Sequence, residues 1–556
     1  MLFNSYSFIF VFLPLTVLGY MAVNRLGSRS ASLGGLLLSS LAFYGIWNPI
    51  NLAIILPSIA VNYALALAIR NRLREDAPRP RAANVLVTIG VVLNLCFLGY
   101  FKYKNFFLGT INDVAGTEFV LTQVILPLGI SFITFQKIAF LVDVRSGAIR
   151  DFDLFDFLTF VFFFPQLIAG PIVHYREMMP QFAQISSRLD PENLAVGMTI
   201  FAIGLFKKVV LADGIALYVP ESFNAAAAGG SLSFFPAWMA ALAYTLQIYF
   251  DFSGYSDMAI GLARIFGIKL PMNFNSPLKS SSMIEFWSRW HITLTRFLTA
   301  YVYTPMVMSL TRKRMARGQP VIGRKRPTLG AFLILLCWPT VFTMFLSGFW
   351  HGAGYTFLAW GILHGIYLTI NHAWRQWRPK WDKVAYERIM KPVGFVLTFV
   401  AVTIGMVLFR APTTASALHI LHGMAGLDGV SVPMALLNRG GGLASVLHRL
   451  GIAGDMGSGA SFIAAAVWIV ALFLIATLMP NSLELMRRYA PALYFESAAK
   501  PAAAPGGSGS GIPKPSWRVG SMTVSWTAGW AFLIAAFFVF GALGLSRPSE
   551  FLYWQF

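Results

Sequence analysis

Residues 329–373 read LGAFLILLCWPTVFTMFLSGFWHGAGYTFLAWGILHGIYLTINHA, a stretch without a single Asp, Glu, Lys or Arg. At about 20 residues per membrane crossing, this is one helical hairpin of two crossings. Its flanks orient it. Arg312 to Arg326 holds seven Lys or Arg and no acid, and Arg375 to Lys391 is again mostly basic. Basic loops stay in the cytoplasm, so both ends of the hairpin are expected there. The turn at its middle, Phe349-Trp350-His351-Gly352, then falls in the membrane interior or its outer half.

The rest of the chain has the same character. Of 556 residues 57% are apolar and 12% charged, whereas a soluble domain carries about 25% charged residues. Too little polar surface remains for a hydrated shell, so an all-α polytopic membrane protein is expected, and disordered, collagenous and small secreted classes are excluded. The formal charge of +20 would indicate nucleic acid in a soluble chain. Here the cations gather in short loops between apolar stretches, which is the pattern of cytoplasmic loops facing anionic lipid. The two cysteines, Cys96 and Cys337, lie inside apolar segments, so no disulfide framework or thiolate metal site is expected.

The opening MLFNSY lacks the basic start and cleavage site of a secretory signal. The first crossing, Tyr6 to Val23, is therefore expected to be retained, with the N-terminus outside. Crossings follow over Leu33 to Trp47, Ala53 to Ile69, Val85 to Phe101 and Phe119 to Val142. Three later segments are expected not to cross straight. Phe152 to Val173 carries Pro165, Gly170 and Pro171, Leu194 to Val219 has Lys207 and Lys208 mid-segment, and Ala237 to Phe252 runs into Asp251. Broken backbone at membrane depth survives only where it is buried or lines a wet cavity, so residues 150–300 are expected to form such a wall. Val393 to Leu408 goes out, 411–460 is external loop with short interfacial helices, Phe462 to Leu478 returns, and 498–515 is a flexible linker. Val524 to Leu543 leaves the C-terminus outside. In domain terms, 1–150 are N-terminal membrane helices, 151–410 the core and 411–556 the C-terminal helices with loop and linker.

An ionisable group in the membrane needs a reason to be there. His351, between small residues in SGFWHGAG, is an imidazole able to exchange a proton near neutral pH; the competing role is a packing histidine bonded across a helix interface. His291 stands in Glu285-Phe-Trp-Ser-Arg-Trp-His-Ile-Thr-Leu-Thr-Arg296, which by itself reads as an interfacial anchor. Asp251 and Asp257 could orient a histidine, pair with Arg264 or bind a cation, while Ser253 or Asp257 could cap a new helix after a break at Gly254. Lys207 and Lys208 could receive an anion or snorkel.

These motifs resemble the membrane-bound O-acyltransferase (MBOAT) family, in particular the inner-membrane subunit type of alginate O-acetylation. The resemblance is carried by Phe3-Asn-Ser5, Pro165-Gln-Leu-Ile-Ala-Gly-Pro171, Gln247 to Gly261, Phe274-Asn-Ser-Pro277, Phe286 to Leu294, Gly348-Phe-Trp-His-Gly-Ala353 and Phe551 to Phe556. It implies a ring of about 11–16 transmembrane, re-entrant and interfacial helices around a central tunnel. It implies His351 as the catalytic histidine and His291 as the second polar residue, with Asp251, Ser253, Asp257, Trp350, Trp290, Arg289 and Asn275 binding substrate or supporting the two histidines. The implied chemistry is transfer of an acyl group, most simply acetyl, from cytoplasmic acetyl-CoA or another acyl thioester, a donor substrate rather than a bound cofactor. No metal is needed. The acceptor would be an exported polysaccharide or a periplasmic or membrane-anchored transferase, in the bacterial inner membrane. The competing class is a transporter or flippase of a polysaccharide-assembly system without acyl chemistry.

Overall fold

The computed structural model describes the chain except residues 1, 26, 75–78, 123, 186–188, 324–325, 380, 440–441, 450, 456, 496–526, 547–551 and 553–556. The whole linker expected at 498–515, the start of the last crossing at Val524, and most of the terminal motif therefore lie outside the described residues. Among those described, helix dominates. Seven helices among the described residues are long and apolar enough to cross a membrane, and Phe8–Asn24 is a shorter apolar one. The only strands longer than a single bridge among the described residues are Ser431–Pro433 and Ala453–Asp455, paired in parallel within the 411–460 loop region.

The residues divide into two compact units. The first comprises Met1–Phe206, Gly254–Met272 and Ser482–Pro548. It holds the helices Ile50–Arg74 and Pro80–Ala115 and the almost fully buried helix Ile130–Ser146. Two polar contacts cross between its helices: Asn94 Nδ2 donates to Asn62 Oδ1 at 2.6 Å, and Lys137 Nζ to Ser58 Oγ at 2.6 Å. The crossing expected over Phe119 to Val142 is shorter than its apolar run, because helix begins only at Ile130. Pro127 offers no backbone donor and Gly129 adopts φ +67°, so the preceding residues fold back instead, with Asn112 accepting from the Phe119 N–H at 2.9 Å. The break expected over Phe152 to Val173 is present: Leu154–Phe162 and Phe164–Leu167 are short helices, followed by non-helical backbone to His174.

The other two expected breaks are absent. Helix α1, Pro191–Ala216, runs unbroken through Lys207 and Lys208, which widen it into a π-turn over Lys207–Ala212. Helix α2, Phe234–Ile265, continues for 32 residues through Gly254, so Ser253 and Asp257 cap nothing. Its glycines serve close approach. Within the first unit a Cβ on Gly261 would lie 2.6 Å from the Gly197 carbonyl, one on Gly197 would lie 2.6 Å from that of Gly261, and one on Gly204 would lie 2.7 Å from the Gly254 carbonyl. Two seven-residue glycine spacings thus interlock antiparallel helices, the small-residue contact that substitutes in lipid for a hydrophobic driving force.

The second unit comprises Lys207–Ser253, Asn273–Asn481 and Ser549–Phe556. After α2 come two short helices, α3 (Met283–Trp287) and α4 (Ile292–Leu298). The hairpin read from the sequence follows as α5 (Leu329–His351) and α6 (Tyr355–Trp377), then the long α7 (Lys383–Arg410). The hairpin is tight because Gly348 and Gly361 bring the backbones together: a Cβ on Gly348 would sit 2.2 Å from the Phe357 carbonyl, and one on Gly361 2.4 Å from that of Met344.

Candidate active site

Two of these elements end at the histidines of interest. His351 is the last residue of α5, placed there by the turn Gly352-Ala-Gly354 that starts α6. His291 is the residue before α4 and adopts the left-handed conformation, φ 43° and ψ 51°. That conformation is uncommon for a residue with a Cβ, although histidine visits it more readily than most. It reverses the chain between α3 and α4 and turns the imidazole inward. His291 is fully buried and His351 is 4% exposed.

The two rings stand 6.2 Å apart, centroid to centroid. Aromatic rings enclose them. His351 meets Trp350 at 5.0 Å, Phe409 at 5.1 Å and Trp360 at 5.3 Å, all edge to face. His291 meets Phe252 at 4.8 Å and Trp350 at 6.1 Å. In this geometry the positive ring edges face negative π-faces. Such a lining holds an imidazole in one orientation and leaves little room for bulk water, which strengthens any charge developing beside it.

Asn273 fixes the state of His291. Its side-chain Oδ1 accepts from the Thr293 hydroxyl at 2.9 Å and from the Thr293 backbone N–H at 3.3 Å, so the atom facing His291 Nδ1 at 3.1 Å is an oxygen. Nδ1 must then be the donor, and the neutral ring presents Nε2 as an unprotonated nitrogen. The Asn273 carbonyl also accepts from the Ile292 N–H at 3.0 Å. One asparagine therefore holds both the backbone turn and the tautomer. Nothing in the local sequence marked Asn273 for this, because its partners lie 18 to 20 residues away.

Trp350 and Trp290 both join the aromatic enclosure; Trp290 packs on Phe274 at 5.1 Å and stacks on Phe286 at 5.6 Å. Arg289 is buried and supports the turn, pairing with Glu285 at 2.8 Å and donating to the Asn275 carbonyl at 3.3 Å. Asn275 is tied to it again through its backbone N–H, and its side chain accepts from Asn481 at 3.2 Å. Ser253 is buried, and its hydroxyl has no hydrogen-bond partner among the described residues. The two aspartates go elsewhere. Asp251 binds Lys208 at 2.6 Å, and Lys208 also binds Asp213 at 2.7 Å, so this lysine is a buried counter-ion rather than a snorkelling one. Asp257 accepts from the Ser482 hydroxyl, and Arg264 pairs with Glu192 at 3.8 Å rather than with either aspartate. The i, i+6 spacing puts the two carboxylates on different faces of α2, which is why they share no partner. Among the described residues no three His, Cys, Asp or Glu converge in a way that could hold a metal ion.

The sequence pattern of the membrane-bound O-acyltransferase family matches residues 84–318, a range that includes His291 and stops short of His351. The chain is 40% identical over 460 residues to the peptidoglycan O-acetyltransferase of Helicobacter pylori, covering 78% of this chain and 81% of that protein. The chain belongs to the MBOAT family. A probable alginate O-acetylase of Pseudomonas aeruginosa is 37% identical over 430 residues, 76% of this chain and 75% of that protein. A more distant relative, the teichoic acid D-alanyltransferase of Streptococcus thermophilus, is 31% identical over 294 residues, 51% of this chain and 68% of that protein. Membership makes the chain a multi-pass membrane O-acyltransferase, and the transporter class without acyl chemistry gives way to it.

Proposed function

We propose that the chain moves an acetyl group from cytoplasmic acetyl-CoA through the inner membrane for O-acetylation of an exported or surface polysaccharide, with His351 as general base. The observation that carries the assignment is the enclosed pair: two imidazoles 6.2 Å apart, one at the end of α5 and one held in a single tautomer by Asn273. A hydroxyl of the acceptor attacks the thioester carbonyl carbon while His351 takes its proton. The tetrahedral intermediate then expels the CoA thiolate, the C–S bond breaks, and the His351 imidazolium returns the proton to sulfur. Acyl transfer from a thioester needs no metal, because a thiolate is a good leaving group.

His291 has the complementary task. With Nδ1–H bound to Asn273 its Nε2 accepts rather than donates, so it does not polarise the carbonyl; since the one proton of the attacking hydroxyl goes to His351, Nε2 is suited to orient the acceptor by accepting from another of its donor groups. The catalytic stretch is assigned to 151–410, and both termini to the periplasmic side. The acceptor is either the polymer itself or a periplasmic or membrane-anchored transferase that relays the group to sugar; the names of the relatives, which concern peptidoglycan and alginate, support a cell-envelope glycan.

The test is His351→Ala in the full chain. General-base catalysis is worth about 10²- to 10⁴-fold, so CoA release from acetyl-CoA by the purified protein and acetylation of the polymer in cells should both fall by that order. An inserted, folded variant that still supports full acetylation would remove His351 from the mechanism.

A further inference from the structure

A third imidazole stands behind the pair. His364 lies on α6 one turn beyond Trp360 and is completely buried. Its Nδ1 is 3.3 Å from the indole Nε1 of Trp287 on α3. An indole nitrogen only donates, so Nδ1 is the acceptor and the proton of the neutral ring is on Nε2. That nitrogen faces α7, where a Cβ added to Gly405 would lie 2.4 Å from it. Only a bare backbone admits the ring. Nε2 has no hydrogen-bond partner among the described residues, a costly arrangement for a buried donor. A site built for packing alone would hold an apolar ring here.

What the imidazole gains is the placement of two indoles. Trp287 meets His364 at 5.4 Å and 90°, and Trp360 at 5.7 Å. Trp360 lies 4.8 Å from His364 on one side and 5.3 Å, edge to face, from His351 on the other. We infer that His364 is a positioning residue for the acyl transfer: hydrogen-bonded to Trp287 and seated on Gly405, it fixes Trp360, the ring against which the His351 imidazole stands. This rests on the assignment of His351 as the base. His364 touches no reacting atom, so it sets the geometry of the base and not its protonation.

The experiment compares three variants of the full chain in detergent, with acetyl-CoA as donor and CoA release as the readout. His364→Leu keeps bulk and removes the acceptor. His364→Asn puts an amide oxygen near the position of Nδ1. Trp287→Phe removes the donor. A displacement of about 1 Å can cost on the order of 10²-fold, so His364→Leu and Trp287→Phe should lower kcat about 10- to 100-fold, with KM for acetyl-CoA and the pH profile unchanged. The double variant should be no worse than either single one, and His364→Asn should recover most of the activity. The near-ultraviolet circular dichroism of Trp287, taken as the difference from Trp287→Phe, should shift in the Leu variant and persist in the Asn variant. Wild-type kcat in a folded His364→Leu or Trp287→Phe protein, equal loss in the Asn and Leu variants, or a displaced pH profile would overturn the inference. Should the Leu variant not fold, Trp287→Phe decides alone. A fully active His351→Ala would instead defeat the base assignment, and the dichroism contrast between Leu and Asn would still stand.

Discussion

At the scale of single residues, the site depends on one strained position. His291 holds a left-handed backbone that costs an ordinary L-residue about 1–2 kcal/mol, and it is supported by four hydrogen bonds to Asn273, from the His291 ring, the Thr293 hydroxyl and the Ile292 and Thr293 amides. Backbone and imidazole can be separated by choice of substitution. Asparagine tolerates the left-handed region and alanine does not, so His291→Asn should unfold closer to wild type than His291→Ala. Both should lose acetyl transfer by about tenfold or more, since both lack the nitrogen that orients the acceptor. Thermal unfolding in detergent together with CoA release checks this. Wild-type turnover in the Asn variant would leave His291 with a structural role only. The sequence pointed to His291 and His351 and, through the family resemblance, to Trp350, Trp290 and Arg289 near them, but not to Asn273 or His364. Asn273 and His364 carry no local signal, since each is defined by a partner far away in the chain.

At the scale of elements, glycine decided what composition left open. Gly254 in an apolar run is compatible with a helix break or with a close helix contact, and nothing within the run distinguishes them. The partner helix does: α2 continues because Gly204 and Gly197 of α1 receive its backbone. A branched side chain at Gly261 has no space to enter, and overpacking of this kind costs about 1–3 kcal/mol. Gly261→Val should therefore lower the midpoint of thermal unfolding clearly. Gly109→Ala is the control, because a Cβ there meets nothing within 4 Å, and it should leave the midpoint unchanged or slightly raised. Equal midpoints for the two variants would mean that the α1–α2 contact does not stabilise the protein.

At the scale of the whole molecule, charge placement is the feature that connects the fold to its environment. The cations of Arg312 to Arg326 carry no accompanying acid, whereas Lys208 inside α1 is matched by Asp213 and Asp251. Cations in loops orient the chain, whereas a cation buried in a helix needs a partner inside the protein, which for Lys208 is a pair of carboxylates. The orientation proposed here makes a measurable statement. An alkaline phosphatase fused after Phe556 should be active, and a cysteine placed at Gln319 should react with an impermeant thiol reagent only from the cytoplasmic side. An inactive fusion would place the C-terminus in the cytoplasm and reverse the assigned sides of the last crossing.

By itself, the amino-acid sequence determined the solvent, the secondary-structure class and the α5–α6 hairpin with His351 at its turn, because hydropathy and charge are properties of residues and need no partner to be read. Only the tertiary structure decided where helices stop and which polar groups answer one another. In lipid a helix is apolar all round, so the 3.6-residue period that marks a buried face in water is faint. Proline and glycine then break a helix or join two, as at 127–129 and at 254, according to what lies across from them. Asp251 found a lysine, His291 an asparagine and His364 an indole for the same reason: a buried polar group must be satisfied, and which group satisfies it is settled by the fold rather than by its neighbours in the chain.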